Sequence, residues 1–243
     1  MSRRLFVFDL DGTLVDSRHD LLRAVNEVRA AYDRPSIGVE MLTTMIGEGA
    51  RKLILRSLDA VERPIEPSPS EAKLGANGDI AADRREEKET APQTIERALQ
   101  IFFEIYDQVC TNQTSAYDGV DALLAECARE GPVALLTNKP ERMTRKIVAH
   151  LGWNDRFVSI IGGDTLPTRK PDPTGLLQLA REVGIAAAET VLVGDSRIDL
   201  QTANAAGARA VLVGWGFDRV VSYATALRRP AGAPKSGAPQ PQP

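Results

Sequence analysis

Apolar positions fall along the chain in two rhythms. Leu5-Phe6-Val7-Phe8 is an unbroken apolar run that stops at Asp9. A short continuous run bounded by turn residues fits a strand buried on both faces, as in a parallel sheet. Val133-Ala134-Leu135-Leu136, Val158-Ser159-Ile160-Ile161, Val191-Leu192-Val193 and Ala210-Val211-Leu212-Val213 share its character. Between these runs the spacing becomes helical, over Val120 to Arg129, Arg142 to Leu151, Gly175 to Val183 and Asp199 to Ala206. Alternating strands and helices predict an α/β core, a doubly wound and mainly parallel Rossmann-like sheet built from residues 1–15 and 117–229.

The alternation breaks between residues 16 and 116. Three helical patterns, Asp20 to Asp33, Gly49 to Val61 and Thr94 to Val109, follow one another with no convincing strand. In the third, Ile95, Leu99, Phe102, Phe103 and Tyr106 fall on one face. A helical cap inserted after the first strand is therefore expected over residues 16–116. Inside it, Glu62 to Pro92 is rich in Pro, Ser, Gly, Ala, Glu and Arg and has no aromatic residue. Such a stretch cannot bury enough apolar surface to offset the entropy of ordering it, so it reads as a mobile loop. The Pro- and Gly-rich tail 230–243 reads as disordered for the same reason.

Bulk composition narrows the class of function. A length of 243 residues with 43% hydrophobic and 26% charged content is ordinary for a globular protein. A net charge of −3 with no basic cluster argues against nucleic acid or an anionic membrane as partner. No stretch approaches the ~20 apolar residues of a membrane helix, and the run after Arg3-Arg4 is too short for a signal-peptide core. Cys110 and Cys127 have no metal-ligand spacing and read as buried free thiols, with a reducing cytoplasm as the default location.

The chemistry gathers where strands end. Asp9-Leu10-Asp11-Gly12-Thr13 follows the first strand, at the end where open parallel sheets present ligands. Two carboxylates one residue apart on extended backbone point the same way, and Gly12 allows a sharp departure. Such a pair can divide labour, one attacking phosphorus while the other moves a proton. An ordinary turn also uses Asp and Gly. A calcium loop is less apt, because the motif follows an apolar strand and its twelfth position is Asp20 rather than Glu.

Asp9-Leu10-Asp11-Gly12-Thr13-Leu14-Val15-Asp16-Ser17 resembles the first motif of the haloacid-dehalogenase-type phosphatases, especially the phosphoglycolate phosphatases. The resemblance implies that Asp9 is the nucleophile that becomes an aspartyl-phosphate and that Asp11 is the general acid and base. Three later segments match in family order. Thr137 and Asn138, ending the second core strand, resemble a motif that holds phosphoryl oxygens. Lys170, in Arg169-Lys170-Pro171, resembles the lysine that balances charge on the nucleophile and phosphoryl group. Arg169 reads as a neighbouring surface charge.

Val191-Leu192-Val193-Gly194-Asp195-Ser196-Arg197-Ile198-Asp199 puts one acid at a strand end and another in the first turn of a helix. The resemblance makes Asp9, Asp195 and the backbone carbonyl of Asp11 ligands of Mg²⁺, with Asp199 assisting directly or through water. Oxygen-only ligands suit that ion. Helix capping is the rival reading of Asp199.

Substrate choice should lie in the cap. Gly47-Glu48-Gly49 opens a cap helix whose free amides, with Arg51 near, can bind a carboxylate. Gly47, Gly49 and Arg51 are thus the candidate substrate-binding residues, while His19 and His150 read as surface or packing residues. The expected partner is a small phosphorylated metabolite, the expected state a monomer or homodimer. 2-Phosphoglycolate is the first choice of substrate. A phosphatase for sugar phosphates, and a phosphoglucomutase-like phosphotransferase, are the alternatives.

Overall fold

The computed structural model describes residues 3–60 and 92–217. The tail 230–243 lies outside them, as does the loop expected over 62–92 apart from Pro92, which opens a helix. β1 (Leu5–Phe8) is the centre of a five-stranded parallel sheet. β4 (Val133–Leu136) and then β5 (Ile160–Ile161) lie on one side of it. β6 (Thr190–Gly194) and then β7 (Arg209–Leu212) lie on the other. The chain therefore winds outward from β1 in one direction, then returns and winds outward in the other. The C-terminal ends of β4, β1 and β6 meet at that change of direction, where open α/β sheets bind ligands.

The apolar runs follow from burial on both faces. Along β1, Leu5 and Val7 pack with Ala134, Leu136, Leu176 and Leu192 on one side of the sheet, while Phe8 joins Leu135 and Val193 on the other. Side chains alternate across a strand, so two apolar faces require an unbroken run. The helices α5 (Val120–Glu130), α6 (Glu141–His150), α7 (Thr174–Glu182) and α8 (Arg197–Ala206) supply the cover.

The two outer runs behave differently from expectation. Only Ile160 and Ile161 of the run beginning at Val158 form β5, and Val158 is 59% exposed. In β7, Arg209 and Val211 face solvent, and the strand starts one residue before the expected run. Both are edge strands with one neighbour each, so an apolar run there is neither fully paired nor fully covered.

Leaving β1, the chain forms β2 (Val15–Asp16), which pairs antiparallel with β3 (Ser115–Ala116). Among the described residues, four helices lie between this pair: α1 (Arg18–Ala31), α2 (Val39–Thr43), α3 (Ala50–Asp59) and α4 (Pro92–Val109). These two strands, like α2, are too short to show a period. Val25 and Val28 of α1, Ile54 of α3 and Phe102 of α4 are buried in one cluster that runs on through Leu14 and Leu10 to Phe8. The helical insert thus shares its interior with one face of the sheet.

Two buried charges fix this insert. Asp20, fully buried near the start of α1, accepts hydrogen bonds from the Gln113 amide at 3.1 and 3.0 Å, the Thr114 amide at 2.8 Å and the Thr114 hydroxyl at 2.8 Å. It ties the outgoing strand's helix to the returning strand's approach. Arg29, fully buried at the other end of α1, donates to the carbonyls of Pro35, Ser57 and Ala60. Replacing Arg29 by Met keeps the stem but strands those carbonyls, at roughly 1 kcal/mol or more apiece. We expect a loss of about 3 kcal/mol, read as a melting temperature about 10 °C lower, with catalysis at 20 °C retained. A shift under 2 °C would show that the carbonyls are satisfied without Arg29.

Candidate active site

Asp9 sits one residue past β1, its amide held by the Val193 carbonyl of the neighbouring strand at 2.9 Å. The backbone then turns tightly, with the Thr13 and Leu14 amides both reaching the Leu10 carbonyl. Gly12 adopts φ +80°, and a Cβ there would lie 2.3 Å from Asp195 Oδ2. Glycine is needed at this position for its backbone angle and for the approach of a carboxylate.

Lys170, in the loop between β5 and α7, reaches the same point. Its ammonium, 2% exposed, lies 2.9 Å from Asp9 Oδ1 and 2.6 Å from Asp199 Oδ1. Burial would lower the lysine pKa, but the charges of Asp199 and Asp9 outweigh it and hold the group above its ordinary value. Asp9 shows the opposite balance. Burial pushes its carboxyl up to about 6, with Lys170 opposing that rise and Asp199 adding to it.

Oxygens of Asp9, Asp195 and Asp199 all lie within 4.8 Å of one another. Glycine makes this convergence possible: a Cβ on Gly194 would meet the Asp199 carboxylate at 2.2 Å, and one on Gly216 would meet Asp195 at 2.1 Å. Three hard oxygen donors in a cradle kept open by glycines fit Mg²⁺. Asp195 Oδ2 also accepts the Phe217 amide at 2.7 Å, and Thr13 donates to Oδ1 at 3.3 Å.

Asp199 has a second role beside its place in the acidic cluster. Its Oδ2 accepts the Ser196 amide at 3.1 Å and the Ser196 hydroxyl at 2.6 Å, within a capping box at the start of α8. With Oδ1 on Lys170, both oxygens are engaged. Capping, the rival reading, is thus present, and it positions Asp199 to hold the lysine.

The Asp11 carboxylate stands apart from the acidic cluster. Lys139 donates to its two oxygens at 2.8 and 2.9 Å, and Ser17 donates at 2.5 Å. The same ammonium reaches the hydroxyl of Tyr106 on α4 at 2.6 Å. Lys139 directly follows Thr137-Asn138 at the end of β4, yet its sequence neighbourhood carried no sign of this contact. Tyr106 read only as part of an apolar helical face, and burial before all else, then Asp11, keeps its phenol protonated well beyond the ordinary range.

Thr137 and Asn138 take different positions from each other. Thr137 is buried at the end of β4, with its hydroxyl accepting the Lys139 amide at 3.3 Å. Asn138 spends its amide hydrogens on the carbonyls of Gly47 at 2.9 Å and Lys170 at 3.0 Å. Its side chain thus joins the insert to the lysine loop.

Gly47 and Gly49 have φ of +116° and +89°, and Gly49 caps α3. A cavity opens over Asp9, Asp11 and Lys170; Arg51, expected to serve a carboxylate at this helix start, lines it, is 52% exposed and pairs with Glu96 of α4. Its charge is engaged on the surface. Arg169, expected to be a plain surface charge, also lines the cavity and packs its guanidinium over Gly49, where a Cβ would meet Nη1 at 2.8 Å. No described helix is long and apolar enough to cross a membrane, and both cysteines are free and buried.

Known proteins resemble this chain over most of its length. A phosphoglycolate phosphatase of Psychrobacter arcticus is 34% identical over 219 residues, 90% of this chain and 86% of the relative. Phosphoglycolate phosphatase 1 of Pseudomonas aeruginosa is 39% identical over 216 residues, 88% of this chain and 71% of the relative. Among solved structures, a predicted phosphoglycolate phosphatase from Haemophilus somnus superposes with a TM-score of 0.74 at 28% identity, covering 90% of this chain and 88% of its own. The model of the haloacid dehalogenase-like hydrolases matches residues 3–207, and the chain belongs to that family.

Proposed function

We propose that the chain is a Mg²⁺-dependent phosphomonoesterase that passes the phosphoryl group through Asp9 to water, with 2-phosphoglycolate as its substrate. The observation that carries the mechanism is the separation of the two carboxylates: Asp9 faces Lys170 and the acidic cluster, while Asp11 is held away by Lys139. One is placed to attack and the other to move protons. The substrate rests on the relatives' names.

Asp9 Oδ1 is occupied by Lys170 and by the Leu10 amide at 2.8 Å, so Oδ2 is the oxygen offered to phosphorus. As the new O–P bond forms and the ester bond breaks, the leaving alcohol takes a proton from Asp11. Ionised Asp11 then takes a proton from the water that hydrolyses the aspartyl-phosphate. Lys170 and the Thr137 hydroxyl face the phosphoryl oxygens. Asp9, Asp195 and the Asp11 backbone carbonyl would hold Mg²⁺, which neutralises charge developing on those oxygens. Asp199 keeps Lys170 in place.

A panel of phosphorylated metabolites ranked by kcat/KM tests this reading. 2-Phosphoglycolate should rank among the best, inorganic phosphate should appear without a bisphosphate activator, and EDTA should cut the rate at least ~100-fold until Mg²⁺ is restored. Full activity in EDTA would exclude the metal, and a better sugar phosphate would move the substrate while leaving the reaction class.

A further inference from the structure

Lys139 is a buried cation to which the mechanism above gives no part beyond keeping Asp11 apart from Asp9. Its side chain is 2% exposed, so its ammonium is stripped of water, a cost that only close partners offset. Those partners are both oxygens of Asp11 and the Tyr106 hydroxyl. Lys170 already serves Asp9 from another loop, so the two carboxylates of the motif have one lysine each. Tyr106 is itself fixed: it is 1% exposed and stacks on Phe102, with ring centroids 5.3 Å apart and planes 13° from parallel.

An ammonium donates in three directions. Here two go to one carboxylate and one to the hydroxyl of a tyrosine whose ring is locked in the interior of the insert, which determines the plane of Asp11 as well as its position. Ser17, at the N-terminus of α1, adds a further donor on Oδ1. The contact spans the boundary between the sheet, through Lys139 after β4, and the insert, through Tyr106 on α4.

We propose that Lys139 is a positioning residue that, braced by Tyr106, aims the Asp11 carboxylate at the leaving-group oxygen and so joins the helical insert to the proton-transfer step. This rests on the reading of Asp11 as acid and base. Aim matters in the first step only when the departing oxygen needs a proton. An aliphatic alkoxide does, because Asp9 cannot expel it otherwise; 4-nitrophenolate departs as a stable anion when its P–O bond breaks and needs none.

The test is therefore kcat/KM, which reports events through the first phosphoryl transfer, for 2-phosphoglycolate and 4-nitrophenyl phosphate with Mg²⁺ present. For Lys139→Met we expect about a 100-fold loss on the aliphatic ester and at least ~10-fold less damage on the nitrophenyl ester. Equal losses on both substrates would overturn the proposal. Tyr106→Phe, which keeps the stacked ring, carries the same test should Lys139→Met not fold: the ratio should move the same way by about fivefold, and an unmoved ratio overturns the bracing. Asp11→Asn on the same pair separates the two claims. An even loss there removes the acid–base reading and this proposal with it, whereas a skewed loss at Asp11 beside an even loss at Lys139 overturns the proposal alone.

Discussion

Asp9→Asn is expected to lower turnover by about 10⁴-fold or more and, in metal-free buffer at pH 7.5, to raise the melting temperature. The first effect follows from exchanging a carboxylate nucleophile for an amide of similar shape. The second follows from where the carboxylate sits. Asp9 is 13% exposed, and burial holds its pKa at about 6 against an ordinary 3.8. Lys170 opposes the shift without cancelling it, and Asp199 adds to it.

Because the folded value lies above the unfolded one, the folded chain binds more protons between about pH 4 and 6, and stability falls as pH rises through that window. By pH 7.5 the cost is about 2–3 kcal/mol. Asparagine removes it, while Lys170 keeps Asp199 at 2.6 Å. Melting both proteins in EDTA should give a gain of roughly 5 °C at pH 7.5 that vanishes near pH 4. Near-normal turnover would remove Asp9 as nucleophile. An Asn variant less stable than wild type at pH 7.5 would show that its pairing with Lys170 outweighs its burial.

What could be read in the chain, and what could not, divides by the range of the interactions. β1, β4 and β6 are covered on both faces, so an apolar run reports them directly; Val158 and Val211 break the rule because β5 and β7 are edges. Asp9, Asp11, Thr137 and Asp195 stand at strand ends, where local pattern and motif coincide. Lys139 meets Asp11 across 128 residues and Tyr106 across 33, and no local pattern encodes either contact. Arg51 and Arg169 both line the cavity, and what each meets there is likewise set from a distance: Arg51 pairs with Glu96 of α4, and Arg169 lies where the lysine loop approaches Gly49. Asp199 reads as ligand or cap, and the Ser196 contacts that show the capping are three residues away, where sequence spacing can register them.

Lys170→Met should harm both rate and stability, unlike the change at Asp9. The methionine fills the lysine's space but leaves Asp9 and Asp199 facing each other, with Asp195 close by and no cation between. Removing one member of a buried ion pair costs about 3–5 kcal/mol, because the charge left behind is uncompensated. Turnover should fall about 10³-fold, since a fixed cation no longer meets the charge on phosphorus.

The pH dependence identifies the cause of the instability. In wild type the lysine's pKa is raised, so the lysine itself stays protonated below its ordinary range and its own titration adds no pH dependence there. In the variant the strain lies in the carboxylates, which are relieved as they take up protons. The deficit in melting temperature should therefore be widest near pH 8 and narrow towards pH 5. Mg²⁺ should restore more of it than it adds to wild type, because a cation among the same oxygens replaces the missing charge. A deficit that stays constant from pH 5 to 8 and ignores Mg²⁺ would mean that lost packing, not unbalanced charge, limits the variant.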